Sequence, residues 1–153
     1  MSPKPKLATP PYAAEERLFL ALLKTADALG QEAEQLTKSI GLSATQYNVL
    51  RILRGAGPDG LLCRGIGERM ISRDPDMTRL LDRMEKGGLI TRARQKDDRR
   101  VVKTHITEAG LGLLQRLDEP MRELHKKQFQ HMATARLKSL ADLLDALKSR
   151  EAE

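Results

Sequence analysis

The sequence predicts a mainly α-helical protein with a small β-hairpin, in which a helix-turn-helix and its two-stranded wing are flanked by long terminal helices. Three observations carry this. Between Ile90 and Ile106, two strand-like runs are joined by a charged tip, Lys96-Asp97-Asp98-Arg99-Arg100. Just before them, a segment from Asp74 to about Lys86 puts Met77, Leu80, Leu81 and Met84 on one helical face. At both ends of the chain, apolar residues recur at steps of three and four, the period of a helix with one buried side.

The first helix is expected from Ala13 to Ile40, with Leu18, Leu22, Thr25, Leu29, Ala33, Leu36 and Ile40 on one continuous seam. That seam needs a cover. Its own subunit and a second copy of the chain serve equally well at this point. Residues 1–12 contain Pro3, Pro5, Pro10 and Pro11 and read as a disordered or extended arm. They carry charge but no apolar stretch, so they do not read as a secretion signal.

Ser43-Ala-Thr-Gln46 has the form of a capping box, with Ser43 as N-cap and Gln46 three residues on. It opens a second helix carrying Tyr47, Val49, Leu50 and Leu53. Gly55-Ala-Gly-Pro-Asp-Gly60 ends that helix with turn residues. Leu61 and Leu62 are candidates for a very short third strand. A short helix from about Arg64 to Met70 follows, weakened by Gly65 and Gly67 and so reliant on tertiary packing. In Ser72-Arg-Asp-Pro-Asp76, Asp74 is the expected N-cap, with Pro75 at the first helical position. Gly87-Gly88 closes this helix. Helix, turn, helix and hairpin in that order make a winged helix-turn-helix. After the hairpin, Thr107 caps a helix with Leu114, Leu117, Met121 and Leu124 on one face. Pro120 predicts a kink or break in it near Asp118. A last helix begins near Thr134, with Leu137, Leu140, Leu144 and Leu147 in register. The resulting division is an arm at 1–12, a terminal helix at 13–43, a winged domain at 44–106 and further helices at 107–150.

Charge says what the middle unit is for. The 153 residues include 27 Lys and Arg against 21 Asp and Glu, a net of +6. Residues 44–106 hold 14 basic and 8 acidic side chains, so the whole surplus lies in the winged unit and the rest is neutral. A localised basic surface suits a polyanion. The helix fits the DNA major groove, and the hairpin tip can reach the adjacent minor groove. The competing reading is a winged-helix module for protein–protein assembly. Arg99 and Arg100 argue against it, because a protein-binding wing has no need of a concentrated cationic tip.

Other chemistries find little support. No nucleophile–base pair, phosphate-binding glycine loop or acid/base pair is present, so an enzyme is not expected. His105, His125 and His131 lack close partners at ligand spacing, and no metal or cofactor is expected. The single cysteine, Cys63, excludes an intrachain disulfide framework, and plain packing is its expected role. No apolar run is long enough to span a membrane, and the cytoplasm is the default location.

The chain resembles the multiple antibiotic resistance regulator (MarR) family of bacterial transcription factors from about Leu18 to Leu147. The most specific stretch is Asp76-Met-Thr-Arg-Leu-Leu-Asp-Arg-Met-Glu-Lys-Gly-Gly-Leu-Ile90, then Asp98-Arg-Arg100, then Ile106-Thr-Glu-Ala-Gly110. Gln46-Tyr-Asn-Val-Leu50 also matches the family's second helix. The resemblance implies a homodimer joined through the terminal helices. It further implies sequence-specific binding of double-stranded DNA at a pseudo-palindromic operator, most often as a repressor. The DNA-binding candidates are Ser72, Arg73, Asp76, Thr78, Arg79 and Arg83 in and before the helix, with Arg99 and Arg100 on the wing. Arg73-Asp-Pro-Asp76 departs from the family, in which many members have small polar residues there. The resemblance also implies a small aromatic or anionic effector between the winged unit and the terminal helices. Tyr47, Leu50, Arg51 and Leu114 are the candidates for that site, with Arg51 as the anion partner.

Overall fold

The computed structural model describes residues 13–148. The expected arm at 1–12 and the last residues of the C-terminal unit lie outside them. Six helices and three strands follow in order: α1 (Ala14–Lys38), α2 (Ala44–Ala56), β1 (Leu61–Leu62), α3 (Cys63–Arg69), α4 (Met77–Lys86), β2 (Ile90–Arg94), β3 (Val102–Ile106), α5 (Glu108–Phe129) and α6 (Thr134–Lys148). A single 3-10 turn, Gly57–Asp59, links α2 to β1.

The local chemistry sets most of these boundaries. Ser43 and Gln46 close both bonds of the capping box, at 3.1 and 3.0 Å, and start α2. Thr107 accepts from the Gly110 amide and starts α5. Helix α4 ends in a Schellman motif: Gly88 adopts φ 74°, its amide donates to Glu85 O, and the Leu89 amide donates to Met84 O. The chain then enters β2 directly.

Two expectations are corrected. Asp74 does not cap α4. The helix begins two residues later, with Asp76 as N-cap, while Asp74 accepts from the Asp76 amide in a turn containing Pro75. Asp74 and Asp76 are both good N-cap residues, and here the Asp74 carboxylate is spent on the Asp76 amide, which leaves Asp76 to cap the helix. Nor does Pro120 break α5, which runs without interruption from Glu108 to Phe129. Pro120 and Arg116, the residue whose carbonyl loses its donor, are both exposed, so the missing bond falls on the wet side.

The sheet is antiparallel in the order β1-β3-β2, with Arg92 opposite Thr104 and Ile90 opposite Ile106. Leu61 and Leu62 do form the third strand, pairing with Thr104 and Lys103. One core joins the pieces. Val49, Leu50, Leu53, Ile66, Leu81, Met84, Ile90, Leu114 and Leu117 from α2, α3, α4, β2 and α5 are at most 1% exposed. Truncating such a leucine to alanine costs about 2–5 kcal/mol. At Gly110 the first turn of α5 crosses the start of the wing so closely that a Cβ would lie 2.5 Å from the Leu89 carbonyl. That contact gives a physical reason for glycine at this point of the matched motif.

The terminal helices are different. The later part of α1 packs on α5, and Gln128 donates to the Leu29 carbonyl at 3.2 Å. The earlier part leaves Leu18, Phe19 and Leu23 exposed. No residue of α6 is buried, and Leu140, Leu143 and Leu147 face outward.

Candidate nucleic-acid interface

Helix α4 divides cleanly. Leu80, Leu81 and Met84 are buried, whereas Thr78, Arg79 and Arg83 are exposed on the other side. Ser72 and Arg73 are exposed in the segment leading to the helix. The Asp76 carboxylate accepts from the Arg79 amide at 3.1 Å and lies 3.4 Å from Arg79 Nε. Its geometry is that of a cap at the helix N-terminus.

The wing tip is built by Asp98. Its carboxylate accepts from the Arg100 amide at 2.9 Å, its carbonyl accepts from Val101 N at 3.0 Å, and Gln95 N donates to the Val101 carbonyl. This leaves the Arg99 and Arg100 side chains exposed, with Arg94 and Lys96 beside them. Among the described residues, no carboxylate pairs with Arg73, Arg83, Arg99 or Arg100. Lys96 was read as part of the charged tip but, like Arg94, was not among the expected DNA contacts, although the density of cations there was the available signal.

A second arrangement was also missed. Arg92, in mid-strand β2, is clamped by two carboxylates of α4. Its Nε and terminal nitrogen donate to Glu85 at 2.9 and 2.7 Å, and the same terminal nitrogen donates to Asp82 at 2.5 Å. Its backbone amide donates to Glu85 Oε1 at 3.0 Å. The hydrogen bonds from Arg92 hold the Glu85 carboxyl below its ordinary range, and the same bonds raise Arg92. The available signal was an i, i+3 acid pair followed by an arginine sharing the face of buried Ile90.

Behind the helix-turn-helix lies a cavity of about 270 Å³. Its walls come from α1, α2, α5 and the segment Met70–Ser72 that leads toward α4. Tyr47 and Arg51 line it, with the Arg51 guanidinium 5.8 Å from the Tyr47 ring centroid. Burial pushes the Tyr47 hydroxyl above its ordinary 10.0. Leu50 and Leu114 do not line the cavity. Both are 0% exposed and belong to the core beneath it. Ile71, Asn48, Met121 and His125 also line it and were not expected from sequence. Cys63 is exposed at the start of α3 rather than packed. Among the described residues, no three His, Cys, Asp or Glu side chains gather as metal ligands. No helix among them is long and apolar enough to cross a membrane.

A capped helix with an exposed cationic face, held beside an ordered cationic wing, defines a winged-helix DNA-binding protein. The sequence pattern of the MarR family matches residues 42–102. The HTH-type transcriptional regulator YpoP of Bacillus subtilis, described as uncharacterized, is 36% identical over 69% of this chain and 74% of its own length. The HTH-type transcriptional repressor IacR of Pseudomonas putida is 29% identical over 92% of this chain and 83% of its own. A crystal structure of a MarR transcription factor from Planctomyces limnophilus is 38% identical, with TM-score 0.66 over 88% of this chain and 98% of that one. The fold recurs at 19% identity and TM-score 0.78 in Bordetella bronchiseptica BpsR, over 90% of this chain and 97% of that one. DNA binding by BpsR is regulated by 6-hydroxynicotinic acid. The chain belongs to the MarR family. It is a DNA-binding transcriptional regulator and not an enzyme.

Proposed function

We propose that this regulator is a homodimeric repressor that holds a pseudo-palindromic operator and releases it when a small aromatic or anionic effector fills the cavity. Residues 13–43 and 107–150 supply the dimer contact, and residues 44–106 supply the DNA-binding unit. Ser72, Arg73, Thr78, Arg79 and Arg83 meet the major groove, and Arg99 and Arg100 meet the neighbouring minor groove. Asp76 serves α4 as its cap. The compartment is the cytoplasm, where a bacterial regulator finds its DNA.

The observation that carries the reading is a shared wall. Met70, Ile71 and Ser72 bound the cavity and also form the start of the segment leading to α4. In a dimer, two such helices must sit roughly 34–36 Å apart to engage successive half-sites. A molecule wedged in the cavity shifts that spacing. It changes DNA affinity only by its own difference in affinity for the two arrangements, typically about 1–3 kcal/mol. Arg51 offers the effector a cation, and the Tyr47 hydroxyl, protonated at neutral pH, offers a donor. The aromatic acid that regulates BpsR belongs to the same chemical class and supports this choice.

The test is release. Duplexes selected from a random pool by the purified protein are bound, and salicylate, benzoate and 6-hydroxynicotinate are titrated to millimolar concentration with calorimetry in parallel. If a dimer neutralises roughly 6 to 10 phosphates, log K should fall against log salt by about 0.9 per phosphate. A slope near zero on every duplex defeats the DNA reading. DNA binding with neither release nor calorimetric heat defeats the aromatic-acid effector.

A further inference from the structure

The clamp at Arg92 turns the guanidinium away from the exposed tip and onto two carboxylates of α4. Strand β2 lies at the open edge of the sheet, and the Arg92 amide points off that edge into the Glu85 carboxylate. Glu85 thus takes the place of a neighbouring strand. The guanidinium is turned inward, its side chain 26% exposed, while Arg94, Arg99 and Arg100 on the same hairpin are exposed. One arginine therefore ties the last turns of α4 to the wing through two carboxylates. The three residues between helix and strand, Gly87, Gly88 and Leu89, are bonded to the end of α4 and to Thr107, and Arg92 adds a tie two residues into the strand, on the tip side of that joint.

Leverage makes the tie matter. At about 3.3 Å per residue, the tip lies on the order of 20 Å beyond Arg92. A tilt of roughly 10° at the clamp would then move the tip by about 3.5 Å, more than the reach of a hydrogen bond. The same tie places a cation over Asp82 and Glu85, on the helix that approaches a polyanion.

We propose that Arg92 is a positioning residue for DNA binding: it fixes the angle between α4 and the wing, so that Arg99 and Arg100 reach the groove next to the one α4 occupies. Arg92 itself touches no DNA. The inference rests on the DNA-binding role and adds to it a required geometry between two contact elements.

The experiment is a double-mutant cycle on the full chain, using a duplex selected by the wild-type protein and read by fluorescence anisotropy. The proteins are wild type, Arg92→Ala, Arg100→Ala and the double variant. Arg100→Ala should weaken binding about tenfold in the wild-type background and less than about twofold once Arg92 is gone, because a mispositioned tip has little left to lose. Equal losses in both backgrounds would overturn the proposal. So would a salt slope that falls by about a further 0.9 per protomer when Arg92→Ala is added to a chain already lacking Arg99 and Arg100, since with the tip cations gone only a direct phosphate contact by Arg92 can lower it. If Arg92→Ala does not fold, the cycle is repeated with Arg92→Lys, which keeps the charge but loses the planar fork. The same non-additivity is expected there, and additive losses overturn the proposal. Failure of the wild-type protein to bind any duplex would instead remove the DNA reading.

Discussion

The side-chain oxygen of Asn48 accepts the Ile71 amide at 2.9 Å, and both residues line the cavity behind the helix-turn-helix. Asn48 is 9% exposed in mid-α2, whereas Ile71 is 84% exposed in the turn between α3 and α4. This bond is a direct polar link from the cavity wall to the segment that leads into α4.

Asn48→Ala should therefore separate effector binding from DNA release. Losing the bond costs about 1 kcal/mol, because the exposed Ile71 amide can turn to water. For a chain of this size that lowers Tm by roughly 2–4 °C. Calorimetry should still detect an aromatic acid in the cavity, while anisotropy should show its effect on DNA affinity reduced. Unchanged release would assign the coupling to another wall of the cavity.

Arg79 and Arg100 should fail differently. A bidentate arginine–guanine pair is worth about 1–3 kcal/mol of discrimination. Arg79→Ala should narrow the gap between selected and random duplexes. Arg100→Ala, on a tip that buries little, should leave the thermal melt unchanged and weaken binding. Competition assays against random duplex measure the first, and direct titration measures the second. Equal loss on all sequences for Arg79→Ala would make it a phosphate contact.

Acid should loosen the clamp in a defined direction. Arg92 holds the Glu85 carboxyl below its ordinary 4.5, so the folded protein binds that proton less tightly than the unfolded chain. The stabilisation is complete above 4.5 and is lost as pH falls through the lowered value. Wild type should melt above Glu85→Gln at neutral pH, and the difference should shrink steadily on acidification below 4.5. A difference that stays constant to the lowest measurable pH would show that the Glu85 charge contributes nothing to the clamp.

Removal of residues after Thr134 should give monomers or aggregates by sedimentation velocity, because in the proposed dimer the exposed leucines of α6 help to cover the apolar surface of α1. Leu143→Lys should shift the full chain toward monomer without altering its secondary structure. A well-folded truncated dimer would place the contact elsewhere.

Much of this was legible from short-range chemistry. The capping box at Ser43, the Thr107 cap and the Gly88 terminus each follow from residues within a turn of one another, and the structure places them as the sequence implies. The start of α4 was not legible, because Asp74 and Asp76 are both good N-cap residues and the turn that Asp74 makes with the Asp76 amide decides between them. Leu50 and Leu114 were assigned to a ligand site because they lie near Tyr47 and the terminal helices. Which side of a helix meets a cavity and which meets the core is settled by the packing of three other helices. Arg92 escaped notice because its partners lie on a different element, and a lone arginine in a strand has no periodicity to betray it.

In the proposed dimer, the outward leucines of α1 and α6 tie the stability of this regulator to its own concentration. A protomer alone must leave that apolar surface wet, so association contributes to the stability of the fold, and dilution erodes it. At low copy number the chain spends more of its time open to proteases. Operator occupancy by a pair then rises with about the second power of the supply of single chains. A gene under such a regulator would switch over a narrow range of repressor dosage, and a variant that dimerised more tightly would move that threshold without touching a single DNA contact.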